Sequence, residues 1–238
     1  MIVLFFFAAV AGGAVAAIGG FGIGSILTPT VASAHPANVA VAVVAIPHFV
    51  ATAVRLWLVR EHIDWQLLKS FGVMSAVGGI LGAIFSVSLE ARWLEITLAI
   101  LLLFVGLGGL LGFTSLLKFR GPLAWIAGGI SGFLGGLVGN QGGLRAGAMT
   151  GLDVSRDAFV ATGTAVGLAV DLARLPVYAA VFNAELVARW QLIVLLSAGC
   201  LVGTWMGIRI LKQIPNEVFL HVVRFLLIGL AIYLVFKP

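Results

Sequence analysis

Eight long apolar stretches constrain the fold of this chain more than any other feature of its sequence. They cover residues 2–20, 37–59, 67–89, 93–113, 122–139, 157–182, 191–211 and 217–236. Most of them reach the ~20 residues that a helix needs to cross the hydrocarbon core of a bilayer. Charged residues make up only 10% of the chain, against roughly 25% in a soluble domain. We therefore predict an all-α polytopic membrane protein.

Charge, cysteine content and missing motifs argue against several classes of function. The net charge of +5 is typical of a membrane protein whose basic loops stay in the cytoplasm. No basic tract interleaved with aromatic residues indicates a nucleic-acid partner. The single cysteine, Cys200, has no partner for an intramolecular disulfide or a cysteine metal site. The enzyme motifs HExxH and GxSxG do not occur. We therefore expect no catalytic residues, no metal and no cofactor.

An internal repeat divides the chain into two halves. A shift of 119 residues, without gaps, places Arg55 on Arg174 and aligns glycines in and just after the first apolar stretch with glycines in and just after the fifth. The aligned pairs are Gly13 with Gly132, Gly20 with Gly139, and Gly24 with Gly143. Self-similarity of this kind indicates a duplicated structural unit. We predict one integral membrane domain made of two homologous repeats, residues 1–118 and 119–238.

Later in each half, two glycines four residues apart form a GxxxG motif. A shift of 125 residues pairs Gly78 and Gly82 with Gly203 and Gly207. Small residues at this spacing let helix backbones approach closely in lipid, where packing drives helix association. We predict that all four glycines lie in helix–helix contacts.

A glycine-rich segment interrupts the chain near the start of each half. The first reads GFGIGSILTPT from Gly20, and the second reads GNQGGLRAGAMTG from Gly139. Glycine allows the backbone to unwind, and the N–H groups freed in hydrocarbon then need a partner. The N-terminus of a following short helix carries about half a positive charge, which favours an anion. We expect each half to open with a helix broken at glycine or with a re-entrant hairpin, as in many transporters.

Arg145 lies inside the second of these segments and suggests that the ligand is an anion. A charge held at depth costs roughly 2.5 to 3.5 kcal/mol and is rare without a purpose. In the alternative, the loop is at the surface and the arginine is solvated. The hydroxyls of the first segment serve equally well as helix caps. The candidate substrate-binding residues are Arg145, Asn140, Gln141, Gly142, Gly143, Gly24, Ser25, Thr28 and His48.

Three further charged residues lie within apolar stretches. Asp171 is about 14 residues into the helix expected from Asp157, and Arg174 follows it by one turn. A pair at this spacing either neutralises itself or takes part in proton coupling. Arg55 and Arg174 stand at equivalent places, where long side chains also reach lipid headgroups by snorkelling. His48 is either a hydrogen-bonded structural residue or a proton carrier.

Several segments together resemble the TauE/SafE sulfite exporter family. They are GFGIGSILTP followed by IPHFVATAVR, and GGLVGNQGGLRAGAM followed by FVATGTAVGLAVDLARLPVY. The GNQGG loop is similar to one branch of that family. In many members both loops end in a proline; Pro29 fits this pattern, whereas Ala148 stands at the corresponding place in the second half. The resemblance implies a secondary transporter, with export favoured, of sulfite, sulfonates or other small organic anions.

We therefore expect an exporter of a small anion in the bacterial inner membrane, with protons as a further candidate partner. The alternatives are an anion channel, a membrane-embedded enzyme and an assembly subunit. Two topologies are compatible with the repeat. If every apolar stretch crosses the bilayer, the halves are parallel; if each glycine-broken helix doubles back, the halves are inverted. We favour the inverted version because alternating access commonly uses it.

Overall fold

We describe a computed structural model of the chain over residues 1–20, 22–112, 122–139, 142, 145, 155–209 and 216–236. Every regular element in these ranges is helical. The helices are α1 Ile2–Gly19, α2 Ile23–Ala32, α3 Ala37–Val59, α4 Trp65–Leu67, α5 Val73–Ser88, α6 Ala91–Leu110, α7 Pro122–Val138, α8 Arg156–Val181, α9 Asn183–Ala188, α10 Trp190–Arg209 and α11 Asn216–Phe236. A 3-10 turn, Arg60–His62, extends α3, and a π-helical turn, Leu68–Gly72, joins α4 to α5.

Five described segments are long and apolar enough to span a bilayer. They are Ala37–His62, Trp65–Ser88, Ala91–Leu110, Asp157–Val181 and Trp190–Arg209. Shorter apolar helices include those at Ile2–Ile18, Leu123–Val138 and Arg224–Phe236. Within the described residues, all eight predicted apolar stretches are helical with bounds close to those expected. This confirms the all-α fold, and the five long helices fit a polytopic membrane protein.

Two helices, α3 and α8, form the centre of the structure. They pack against each other, α3 also contacts α2 and α10, and α8 also contacts α5. Every residue of α2 is buried. Helices α5, α6 and α10 instead expose many large apolar side chains on their outer surfaces, as expected of helices that face lipid. Polar side chains in the middle turns of α3 and α8 are therefore shielded from the outer surface.

Glycines bring pairs of helices into backbone contact. A Cβ on Gly78 or Gly82 would overlap the backbone of α7 at Gly129 and Phe133. Gly203 and Gly207 meet α1 in the corresponding way, at Val10 and Ala14. The prediction that the GxxxG glycines lie in helix–helix contacts is therefore confirmed.

The first glycine-rich segment breaks its helix as expected. Helix α1 ends at Gly19. The next residue, Gly20, has a left-handed φ of 74°, and its N–H donates to the carbonyl of Ala16. Gly22 has a φ of 142°, and α2 then begins at Ile23. In the second half, α7 ends before Gly139, which has a φ of 72° and donates to the carbonyl of Gly135. Most of the segment after Gly139 lies outside the described residues.

Candidate functional site

Helices α3 and α8 present polar side chains to each other. On α3 these are His48, Thr52 and Arg55, whose spacing of four and three residues places them on one helix face. On α8 they include Thr164, Asp171, Arg174 and Tyr178, which follow the same periodicity over four turns. All of the side chains named here are buried. The facing stripes form a polar cluster inside a largely apolar bundle.

Asp171 is the central acceptor of this cluster. Its Oδ1 accepts from Arg174, at 3.0 Å from Nε and 2.8 Å from Nη2. Its other oxygen, Oδ2, lies 2.6 Å from Nδ1 of His48 on α3. The predicted pair of Asp171 and Arg174 is thus confirmed, while the contact with His48 was missed by the sequence reasoning. One buried carboxylate therefore joins the two central helices.

Arg174 has further partners at the end of α7. Its Nη1 donates to the carbonyl of Gly135 at 2.7 Å, and the hydroxyl of Tyr178 donates to the carbonyl of Gly136. Carbonyls in the last turn of a helix carry partial negative charge and lack partners within the helix. Arg174 therefore neutralises a carboxylate and caps a helix end, and it has no remaining unpaired nitrogen among its buried atoms.

The guanidinium group of Arg55 makes fewer hydrogen bonds than that of Arg174. Its Nε donates to the hydroxyl of Thr164 at 3.1 Å, and that hydroxyl in turn donates to the carbonyl of Val160. The Nη1 of Arg55 is buried and has no hydrogen-bond partner in the described part of the chain. The residue is only 3% exposed. Arg55 and Arg174 are both inside the bundle, so the alternative that they snorkel to the headgroups is wrong.

Arg145 reaches the same region from the second glycine-rich segment. Its Nη2 donates to the carbonyl of Gly20 at 3.2 Å. Its Nη1 lies against Gly167 of α8, where an added Cβ would come within 3.1 Å of that nitrogen. This Nη1 also has no described partner, and the residue is 3% exposed. The alternative of a solvated surface side chain for Arg145 is therefore wrong.

The remaining candidate residues lie around this cluster or outside the described ranges. The hydroxyl of Thr28 is buried without a described partner and lies against Gly139, close to Arg174. Gly24 and Ser25 are buried in the first turn of α2. Gly142, which follows the end of α7 by a few residues in the sequence, is also buried. The candidates that fall outside the described residues are Asn140, Gln141 and Gly143.

The charges of the cluster do not balance within the described residues. Three buried guanidinium groups, on Arg55, Arg145 and Arg174, face one carboxylate, on Asp171. With His48 neutral, the net charge is +2. Arg145 repels Arg55 electrostatically, while Asp171 attracts both. Burying a charge without a partner is costly, so a small anion placed between the two arginines would stabilise them. The described residues bring no three His, Cys, Asp or Glu side chains together as for a metal ion.

Sequence reasoning missed Thr52, Thr164 and Tyr178. A signal existed for two of them. Thr52 corresponds to Asp171 under the shift of 119 residues, and Tyr178 follows Arg174 by one helical turn. Nothing in the sequence marks Thr164 as the partner of Arg55, because that contact depends on how α3 packs on α8.

A comparison with protein families gives one match. The family described as "Sulfite exporter TauE/SafE" matches residues 4–234, which is nearly the whole chain. Neither a curated protein nor a solved structure matches the chain significantly.

Proposed function

Because the chain belongs to the TauE/SafE sulfite exporter family, we propose that it is a secondary transporter that exports a small anion across the bacterial inner membrane. The family and the apolar helices support membrane transport of a sulfur-containing anion. As substrates we propose sulfite, sulfonates or small carboxylates. A single binding site would carry them by being exposed alternately to the two sides of the membrane.

The observation that carries this proposal is a pair of buried nitrogens, Nη1 of Arg55 and Nη1 of Arg145, that have no hydrogen-bond partner among the described residues. A guanidinium group matches the paired oxygens of a sulfonate, sulfite or carboxylate in geometry as well as charge. The carbonyl of Gly20 accepts from Nη2 of the Arg145 guanidinium, while Nη1, which has no described partner, is free to donate to a substrate. Thr28 adds a buried hydroxyl beside Gly139, close to Arg174. We infer that an anion binds between these groups and that Arg145 acts as its clamp.

The direct test is a thermal-shift panel on the purified chain with sulfite, thiosulfate, taurine, sulfoacetate and short carboxylates. A ligand that binds only the folded state raises stability, by about 2.7 kcal/mol at 100 times its Kd. Arg145→Lys keeps the positive charge but loses the paired N–H donors of the guanidinium group. We expect this variant to bind the anion much more weakly than wild type does. For Arg145→Ala we expect a near-complete loss of binding, since losing a charge-assisted pair costs about 1.5 to 3 kcal/mol, or roughly 10-fold to 150-fold in affinity.

The matched control for these variants is Arg60→Ala. Arg60 is exposed and stacks over Trp57 at the end of α3, so this variant removes an arginine outside the cluster. We expect it to bind as the wild type does. If Arg145→Ala also retains wild-type affinity, the proposal that Arg145 clamps the anion is wrong.

Reconstituted vesicles separate a transporter from a channel. A coupled transporter accumulates the anion against its gradient when a second gradient is imposed. A channel would give strictly downhill anion flux that is insensitive to a proton gradient. That result would contradict the proposed transporter and indicate an anion channel. A catalysed change in the anion would point instead to a membrane-embedded enzyme.

We also propose that residues 1–118 and 119–238 are inverted repeats. Their helix contacts support a duplication. The contact of Gly203 with Val10 corresponds to that of Gly78 with Gly129 under the two sequence shifts. A reporter fused after Pro238 is expected on the periplasmic side if the halves are inverted. A cytoplasmic signal would indicate eight crossings and parallel halves.

A further inference from the structure

We propose that His48 and Asp171 form a proton-binding site linked to the anion site, so that proton and anion bind cooperatively. The proposal rests on the proposed function, because it requires an anion between Arg55 and Arg145. It adds a second ligand, the proton, at residues that make no contact with the anion in the proposed site.

The contact between the two side chains defines where the proton goes. Nδ1 of His48 lies 2.6 Å from Oδ2 of Asp171, and both residues are buried. With a proton on Nδ1 the neutral ring donates to the carboxylate, and Nε2 is then the ring nitrogen that accepts a further proton. The added proton comes from solution and returns to it, and no other bond forms or breaks. Histidine is the side chain whose ordinary pKa, about 6.5, suits such a change.

The surroundings of His48 make its protonation sensitive to an anion. Three charged side chains act on it, those of Asp171 and Arg174 on α8 and of Arg55 on α3. The uncharged hydroxyl of Thr52, also on α3, lies 3.4 Å from Nδ1 of His48. Of the other helices packed on α3, α2 and α7 contain no charged residue. Helix α6 carries Arg92 and Glu95, which pair with each other, α9 carries Glu185 in its first turn, and α10 carries Arg209 in its last turn. Arg174 already occupies the other oxygen of Asp171, so the carboxylate is shared between a fixed cation and a titratable one.

Charge counting gives the sign of the coupling. Protonation of His48 raises the net charge of the described cluster from +2 to +3, counted over His48, Arg55, Arg145, Arg174 and Asp171. The added charge attracts an anion more strongly inside a low-dielectric bundle than in water. Linkage is reciprocal, so a bound anion increases the proton affinity of His48 by the same factor. Proton uptake therefore accompanies anion binding.

The experiment measures anion affinity and proton uptake on the full-length chain in detergent. The probes are sulfoacetate and ethanesulfonate, whose charges stay fixed between about pH 5.5 and 8, where histidine titrates; sulfite changes its own charge in this range. Calorimetry in two buffers of different ionisation enthalpy gives the number of protons taken up. For wild type we expect uptake of up to one proton and affinity that falls as pH rises, by roughly 10-fold in total, within the usual range of coupling between sites.

The informative variant is His48→Gln, which keeps an amide donor for Asp171 but does not titrate. We expect its affinity to be independent of pH and its binding to take up no proton. The matched control is His62→Gln, because His62 is exposed after α3; it should keep the pH dependence of the wild type.

The possible outcomes separate the two proposals. Binding by wild type without proton uptake, or unchanged pH dependence in His48→Gln, overturns the proton site and leaves the anion site intact. If neither probe binds to wild type at any pH, the proposed anion site fails and the linkage fails with it. If His48→Gln does not fold, the ring nitrogen signals of His48 in wild type decide: they must titrate at higher pH when sulfoacetate is bound, and identical titration overturns the linkage.

Discussion

Helices α3 and α8 carry an arginine at equivalent places but neutralise it differently. Arg55 on α3 and Arg174 on α8 are related by the shift of 119 residues. Three residues before Arg174 stands Asp171, which binds it; three residues before Arg55 stands Thr52, which has no charge. Arg174 also caps the end of α7, whereas Arg55 keeps a buried nitrogen without a described partner.

The difference distinguishes a structural charge from one that is available for a ligand. On α8 the chain supplies its own counterion, so Arg174 contributes to the fold and needs no further partner. On α3 the described chain supplies only the neutral hydroxyl of Thr164. The same holds for Arg145, which has a backbone carbonyl as its partner. A bound anion, as proposed above, would compensate a buried arginine left in this state.

The largest effect is expected from Arg174→Ala. This change removes the cation that pairs with buried Asp171 and also the donor to the carbonyl of Gly135. Breaking a buried pair typically costs about 3 to 5 kcal/mol, so we expect a large fall in the unfolding temperature, or no folded protein at all. Thermal unfolding of the detergent-solubilised chain provides the measurement.

The equivalent change on α3, Arg55→Ala, is the comparison for that experiment. We expect folded protein with an unfolding temperature close to that of wild type, because no carboxylate loses its partner. Anion affinity should fall by roughly 10-fold to 150-fold, as for loss of one charge-assisted pair. If Arg55→Ala unfolds as readily as Arg174→Ala, both arginines stabilise the fold and the distinction between them is wrong.

A smaller effect is expected from Thr52→Asp, which gives α3 the arrangement of α8. A carboxylate three residues before Arg55 lowers the net charge of the cluster from +2 to +1, counted with His48 neutral. We expect the protein to stay folded and anion affinity to fall on the order of 10-fold, or ~1.4 kcal/mol. Thr52→Asn, similar in shape but uncharged, is the control. Equal affinities of the Asp and Asn variants would show that charge at this position does not matter.

The parts that could be predicted from the sequence are those set by local spacing. The apolar stretches gave helix bounds within a few residues, and the one-turn spacing of Asp171 and Arg174 predicted their ion pair. The GxxxG glycines were assigned to helix packing because small residues have that effect in any pair of membrane helices. None of these inferences required knowledge of which helices are neighbours.

The parts that could not be predicted depend on the packing of α3 against α8. His48 and Asp171 are 123 residues apart in the chain, and no local pattern brings them together. Snorkelling was a reasonable alternative for Arg55 because its position near a helix end says nothing about depth within the bundle. Its burial follows from the helices that surround α3, and that arrangement is a tertiary property.

The glycine contacts described above also limit how the molecule can move. Helix α1 packs on α10 and α5 packs on α7, with the backbone of one helix filling the place of a missing side chain on the other. Each pair combines a helix from before residue 119 with one from after it. Rocking one half against the other as rigid bodies would pull both pairs apart. If the proposed site is exposed alternately to the two sides, we therefore expect each pair to move as a single body.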